Sequence, residues 1–371
     1  MRQKNENVCI PKKILFVGFG EEYGGVEQLV FSLCDSTFKD KYEFDFLSYY
    51  HIPEITREKI LHLNSNWYYV TRYSKNLFRF FKEIFSFYIS HPEYKIVYCN
   101  ANHASMIMYT LPLWFSRKIK IVFHSHVREA DNKFLHKLFR ILVNWRCDLR
   151  IACSGQAAEW MYGKNKNVQI VYNGIDIERF KYDEETRKKL RNQYGLNNRL
   201  VIGHVGRLTP VKNHLFLIDV FNEILRINPN AFLVLIGDGE LYDEIKARIN
   251  QLALDANVLM LAFQTDIHKF YQMMDMFILP SIAEGFGLSG IEALTSGVST
   301  FYSDGIPNEF DIKEFIHYIS LDKTAREWAE EIMRVGINKD RTAYFQELEK
   351  SALNKTVMVK KIQELLDTFY E

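Results

Sequence analysis

Two carboxylates eight residues apart, Glu284 and Glu292, bracket the run Glu284-Gly285-Phe286-Gly287-Leu288-Ser289-Gly290-Ile291-Glu292. Its glycines let a backbone approach a ligand closely. A helix opening near Gly287 would offer free N–H groups and the positive end of its dipole to an anion or a sugar hydroxyl. Glu292, more than a turn inside that helix, could accept two hydrogen bonds from a ribose diol. The plain alternative is a glycine-rich turn followed by a solvated glutamate. The apolar run MFILPS (276–281) just before it argues for the first reading, because it sets the loop at the end of a buried strand.

A second loop, Gly206-Arg207-Leu208-Thr209-Pro210-Val211-Lys212-Asn213, carries two cations five residues apart. The planar fork of Arg207 and the point charge of Lys212 suit a diphosphate, although loops also carry such residues for solubility. Gly24-Gly25-Val26-Glu27 follows the apolar run ILFVGFG and opens an apolar helix. It resembles a phosphate-cradling turn, but Gly18-x-Gly20-x-x-x-Gly24 misses the dinucleotide spacing and lacks the Lys-Ser/Thr of a P-loop. Taken alone it reads equally well as a close-packed turn. His124-Ser125-His126 ends the run IKIVFH. The two imidazoles could shuttle a proton; without carboxylate or thiolate ligands beside them, and with no D-x-D pair in the chain, a metal is not expected.

Elements must position these loops. In the second half, LVIGHVG (200–206), AFLVLIG (231–237), NVLMLAF (257–263) and MFILPS (276–281) alternate with helical stretches such as 214–227. Near-continuous apolar strands joined by helices imply a parallel sheet covered on both faces. KKILFVGFG (12–20), YEFDFLSYY (42–50), YKIVYCN (94–100), IKIVFHSH (119–126) and LRIACS (149–154) repeat the scheme in the first half. The expectation is an α/β chain of two Rossmann-like, doubly wound domains facing across a cleft, residues 1–172 and 173–355, with a final helix over 356–371 packing back on the first. Ligands of such sheets sit beyond the carboxyl ends of the strands, where every loop above lies.

Composition bounds the class. The 371 residues are 47% hydrophobic and 25% charged, which suits two globular domains. Five scattered cysteines form no C-x-x-C pair, so neither a disulfide framework nor a zinc knuckle is indicated. The polar start MRQKNENVCIPKK lacks the pattern of a secretory leader, and no apolar run reaches the roughly 18 residues of a membrane span. A cytoplasmic protein is expected. The net charge of +1 hides an asymmetry, for residues 1–170 hold 24 Lys and Arg against 16 Asp and Glu. Two aromatic-basic helical stretches, 75–89 and 133–146, fall in that basic half. The second holds five basic side chains, His136 and Arg146 among them, and no acid. Such helices can lie on an anionic lipid surface, which would make the protein peripheral on the inner face of a membrane; ordinary core helices with solvated cations are the alternative.

Together, G-G-V-E near the start, H-S-H at a strand end, N-G-I-D at 173–176, G-R-L-x-x-x-K-N, G-D-G-E (237–240) and E-G-F-G-L-S-G-I-E resemble, in order and over nearly the whole chain, the retaining family-4 glycosyltransferases of GT-B fold. The resemblance is closest to capsule and exopolysaccharide transferases. It implies hexose or N-acetylhexosamine transfer from a nucleotide-diphosphate sugar, usually a UDP-sugar with GDP-mannose next, to a glycan precursor or lipid-linked acceptor. It implies no metal, no other cofactor and no nucleic acid. Carried over by position, it makes Arg207 and Lys212 diphosphate ligands, Glu292 the ribose ligand, and Glu284 with the backbone of Gly285, Phe286, Gly287 and Leu288 the donor-sugar contact. Phe263 and Gln264 would frame the base, where this chain lacks the family's usual glycine. Gly25 would let the N-terminal loop touch the diphosphate, His124 would face the sugar, and Gly24, Glu27 and His126 would lie on the acceptor side. A GT-B nucleotide-sugar 2-epimerase and a non-catalytic, transferase-like binding subunit are the alternatives; an NAD(P)-dependent oxidoreductase is disfavoured by the broken glycine spacing.

Overall fold

A computed structural model describes residues 12–370 except 22, 117, 128–131, 165, 285 and 309–314. The chain divides into two compact units, Met1–Val171 with Val359–Glu371, and Tyr172–Met358.

The first unit is built on a seven-stranded sheet of β1 (Lys12–Val17), β2 (Tyr42–Ser48), β3 (Trp67–Tyr69), β4 (Tyr94–Ala101), β5 (Lys120–Ser125), β6 (Leu149–Ala152) and β7 (Gln169–Ile170). Their order is β3-β2-β1-β4-β5-β6-β7, and every pair is parallel. Crossover helices cover both faces, so the central strands carry apolar side chains on both sides: Ile14, Leu15, Phe16 and Val17 of β1 are wholly buried. The chain leaves β1 toward β2 and β3, then returns to β4 on the other flank. The connections therefore diverge between β1 and β4, and a crevice opens beyond their carboxyl ends.

The second unit repeats the plan with β8 (Leu200–Val205), β9 (Ala231–Ile236), β10 (Val258–Leu261), β11 (Met276–Leu279), β12 (Ser299–Ser303) and β13 (Ile316–Ile319) in the order β10-β9-β8-β11-β12-β13, again all parallel. Here the order reverses between β8 and β11.

The end of the chain belongs to the first unit. Beyond the start of the Lys355–Asp367 helix, Asp367 receives the Lys41 ammonium at 2.8 Å and the Tyr42 hydroxyl at 3.0 Å, and the Lys12 ammonium lies 3.0 Å from the ring centroid of Tyr370. No helix among the described residues is long and apolar enough to cross a membrane.

One expectation is corrected. His136 and Arg146 were counted among the cations of a lipid-facing helix, yet both are wholly buried. Backbone carbonyls draw them inward. The Arg146 guanidinium donates to the carbonyls of Leu113, Ser116 and Ile119 and to Asp148, while His136 accepts from the Ala104 N–H at 3.2 Å and meets the Trp160 carbonyl at 3.0 Å.

Candidate active site

In the second unit the two loops singled out by residue type follow β8 and β11, the two strands that flank the order reversal. The sheet brings them together. The Ile282 N–H donates to the Val211 carbonyl at 2.8 Å, and the Asn213 side-chain amide donates to the Pro280 carbonyl at 3.2 Å. Across this seam the Lys212 ammonium forms a salt bridge with Glu284, whose same oxygen accepts the Ser281 hydroxyl at 2.8 Å. Arg207 is exposed at the start of its loop. Gly237 adopts a positive φ of 150°, and a Cβ there would stand 2.0 Å from the Gly206 carbonyl oxygen, so the turn after β9 packs directly on this loop.

The helix Leu288–Thr295 begins where the glycine run ends. Gly287 caps it in the left-handed region at φ 73°, a conformation that favours glycine. The Tyr302 hydroxyl fixes the Gly287 carbonyl at 2.6 Å. Phe286 is buried near Tyr172, with ring centroids 5.7 Å apart, whereas Leu288 is half-buried. Gly285 lies outside the described residues. Glu292, one turn along, is almost wholly buried and accepts the Tyr271 hydroxyl at 2.7 Å. Burial raises its carboxyl to about 7, against the opposing pull of that hydrogen bond and of the Arg179 charge. Phe263 is exposed at the end of β10, its N–H donating to Asp238 at 2.8 Å, and the Gln264 amide folds back onto the Ala262 carbonyl at 3.0 Å.

In the first unit the helix Gly25–Cys34 starts beyond β1 with Gly24 at its cap. Gly25 is exposed there. The two oxygens of Glu27 accept from the N–H groups of Gly20 and Gly24, each at 2.9 Å, so this buried carboxylate holds the shape of the glycine loop. At the carboxyl end of the neighbouring strands, Asn100 of β4 is in register with His124 of β5. His124 is wholly buried, shares a 2.9 Å hydrogen bond with the Tyr98 hydroxyl, and packs 4.1 Å from the ring of His126. His126 meets Asn100 Oδ1 at 3.2 Å. Burial holds both imidazoles well below their ordinary pKa, the His126 charge also opposing that of His124, so the pair is neutral. Nε2 of His124, Nδ1 of His126 and Nδ2 of Asn100 are buried without a hydrogen-bond partner. Three neighbouring residues at the carboxyl ends of β4 and β5 therefore keep hydrogen-bonding capacity to spare.

Several contributors escape a reading by residue type. Asp238 belongs to the G-D-G-E turn, and its side chain and carbonyl tie the Phe263 and Leu208 backbones together, with Leu208 N–H to Asp238 O at 2.9 Å. Ser281 steadies Glu284, Tyr302 steadies Gly287, and Tyr271 steadies Glu292. Only Asp238 and Ser281 stand in motifs visible in the sequence.

With this geometry in view, the chain was compared with known proteins. The family described as "Glycosyltransferase Family 4" matches residues 23–179, and "Glycosyl transferases group 1" matches residues 186–351. EpsF of Bacillus subtilis (strain 168), named as a glycosyltransferase, is 29% identical over 336 residues, 87% of each chain. An Escherichia coli UDP-Gal:alpha-D-GlcNAc-diphosphoundecaprenol alpha-1,3-galactosyltransferase is 25% identical over 249 residues, 64% of each chain. Among solved structures, Anabaena HepE in complex with UDP superposes with a TM-score of 0.81 at 20% identity, covering 96% of this chain and 100% of that one. The first match covers most of the first unit and the start of the second, the other lies within the second unit, and between them they take in most of the sequence: the chain belongs to the glycosyltransferases, a family-4 first half and a group-1 second half on the GT-B fold.

Proposed function

We propose that this enzyme moves a hexose or N-acetylhexosamine, with retention and without a metal ion, from a UDP-sugar to a lipid-linked or polysaccharide-precursor acceptor for capsule or exopolysaccharide synthesis, working from the cytosolic side of a membrane. The observation that carries the reading is the seam at the β8/β11 reversal, where Lys212, on the loop that Arg207 opens, meets Glu284 just ahead of the helix that carries Glu292. Arg207 and Lys212 would meet the charge that grows on the departing diphosphate. Glu292 would take the ribose hydroxyls, Glu284 and the backbone of residues 285–288 the sugar, Phe263 and Gln264 the base, and Gly25 the diphosphate from the other loop. His124, neutral and with Nε2 free to bond, would face the sugar, with Gly24, Glu27 and His126 on the acceptor side. In a same-face reaction the departing phosphate oxygen takes the acceptor proton, so no separate carboxylate base is needed. A UDP-sugar is supported by the UDP in the HepE structure and by the donor in the name of the E. coli relative; the diphosphoundecaprenol in that name supports a lipid-linked acceptor.

The test is UDP release from a panel of UDP- and GDP-sugars with and without polyprenyl-diphosphate-linked sugar acceptors, with the product anomer read by NMR. Release that requires acceptor, and an α-linked product from an α-linked donor, are expected. Interconversion of the donor sugar without acceptor would establish an epimerase instead, and an inverted product would overturn retention.

A further inference from the structure

The helix Lys133–Arg146 carries more apolar surface than its inner face uses: Val143, with Phe139 and Leu142 beside it, packs on the core, and a second apolar set is left outside. Polar His136 and Arg146 point inward to their carbonyl partners, while Phe134, Leu138, Ile141 and Trp145 point outward. Phe134 is 82% exposed and Ile141 67%, and the other two are at least half exposed. Their spacing of four, three and four residues draws one line along the helix. Phe115, 92% exposed, extends it from the segment that precedes β5, its ring 6.3 Å from that of Trp145. Single exposed apolar residues need no explanation; five in one contiguous line, each large, mark a surface that meets something apolar.

The flanking charges say what that is. Lys133, Lys137 and Arg140 follow the same four-and-three spacing one residue earlier, so a cationic row runs beside the apolar one. The helix has no acidic residue, and Asp148 just beyond it is taken by Arg146. A second copy of the chain would press this row against its like, with no carboxylate on the helix to neutralise it. The Leu77–Ser90 helix, which packs on the same Ala104–Leu113 segment, has a similar layout: Phe78, Phe85 and Ile89 are exposed, with Lys82 between them in the line.

We infer that this face docks in the headgroup layer of an anionic phospholipid bilayer. Phe115, Phe134, Leu138, Ile141 and Trp145 enter to the acyl boundary, and Lys133, Lys137 and Arg140 lie against lipid phosphates. The inference deepens the proposed membrane-side function and rests on it for its purpose, since a lipid-borne acceptor must be met at the membrane surface.

The experiment is flotation of the full chain with phosphatidylcholine vesicles with and without phosphatidylglycerol, at low and high salt, for the parent and for Leu138→Glu/Ile141→Glu. Both substitutions fall on exposed positions, and an unchanged melting temperature checks the fold. The parent is expected to float with the anionic vesicles, less at high salt, and the double variant to lose at least about tenfold in partitioning. Equal partitioning of the two proteins, or absence of the parent from both vesicle types, overturns the inference. So does a dimer in sedimentation that the double variant dissolves. Transfer to a short-chain, water-soluble acceptor is measured on the same samples: binding without transfer would sink the proposed function and leave the docking face standing, and transfer without binding would do the reverse.

Discussion

Glu292 offers the sharpest quantitative test. Its carboxyl is buried, receives one hydrogen bond from Tyr271, and is raised to about 7 from an ordinary 4.5. If it accepts two hydroxyls from the donor ribose, only the ionised form binds well, because a protonated carboxyl must turn one oxygen from acceptor to donor. Donor affinity should then be full above about pH 7 and fall as the pH drops. With one pKa unit worth about 1.36 kcal/mol, the loss is about tenfold at pH 6 and about a hundredfold at pH 5. A UDP-sugar is the ligand to use, since its diphosphate diester has no group titrating in that range, and calorimetry in two buffers of different ionisation enthalpy would count the protons released. Tyr271→Phe removes the hydrogen bond that favours the carboxylate, so the fall should begin at higher pH. Glu292→Gln should bind weakly at all pH values, by about 1–3 kcal/mol relative to the parent plateau. The same raised value makes the ligand-free unit lose stability as pH rises from 4.5 through about 7, a slope that Glu292→Gln should abolish. A flat affinity profile for the parent between pH 5 and 8, or a profile unchanged by Tyr271→Phe, would refute the assignment.

Three further outcomes are expected. Arg207→Ala and Lys212→Ala should lower the turnover number more than donor affinity, because the charge they meet grows in the transition state; a raised KM with unchanged turnover would make them binding residues only. Activity should persist in EDTA, and its abolition, restored by a divalent cation, would end the metal-free reading. Gly290→Ala would place a Cβ 2.1 Å from the Tyr302 ring, whose hydroxyl holds the Gly287 carbonyl, and should cost about 1–3 kcal/mol in chemical unfolding together with donor affinity; an unchanged midpoint would show that the ring moves freely.

The parallel sheets are legible because strands buried on both faces leave near-continuous apolar runs, as in β1, β8 and β11. β12 leaves no such trace. Its Ser-Thr-Phe-Tyr-Ser forms no apolar run, yet all five residues are buried, their hydroxyls satisfied as Ser303 donates to the Ser281 carbonyl, Thr300 donates to the Val298 carbonyl at 3.0 Å, and Ser299 accepts the Asn338 N–H at 2.7 Å. Those partners are remote or conformational, so composition cannot reveal them. β7, two residues long at the sheet edge, is too short for any period. In the candidate site, carboxylates and cations in glycine-rich loops announce themselves by type, whereas Tyr271 stands in the mixed helix Ile267–Met273 and differs from a core tyrosine only through what its hydroxyl meets. The Lys133–Arg146 helix shows the limit most directly. It carries two apolar sets of helical spacing, and the sequence does not say which one turns inward; Val143, Phe139 and Leu142 pack on the core, where carbonyls at Leu113, Ser116, Ile119 and Trp160 also receive Arg146 and His136, and Phe134, Leu138, Ile141 and Trp145 are left outside.

The Lys212–Glu284 salt bridge bears on how the proposed chemistry could be prepared before substrate arrives. A cation and a carboxylate that would address different parts of one ligand hold each other, and Ser281 adds a second hydrogen bond to the same carboxylate oxygen. Both side chains are thereby placed, largely out of solvent, at the seam between the β8 and β11 loops, and little rotamer freedom remains to be lost on binding. On the proposed reading, a diphosphate draws the Lys212 ammonium while a sugar hydroxyl donates to Glu284, so one internal contact is exchanged for two to the ligand. Such an exchange would favour the transition state over the ground state, because the negative charge facing Lys212 would grow as the glycosidic bond breaks while the charge on Glu284 stays fixed. On that reading the carboxylate would serve as a temporary counter-ion, keeping the cation in position without neutralising it at the moment the leaving group needs it.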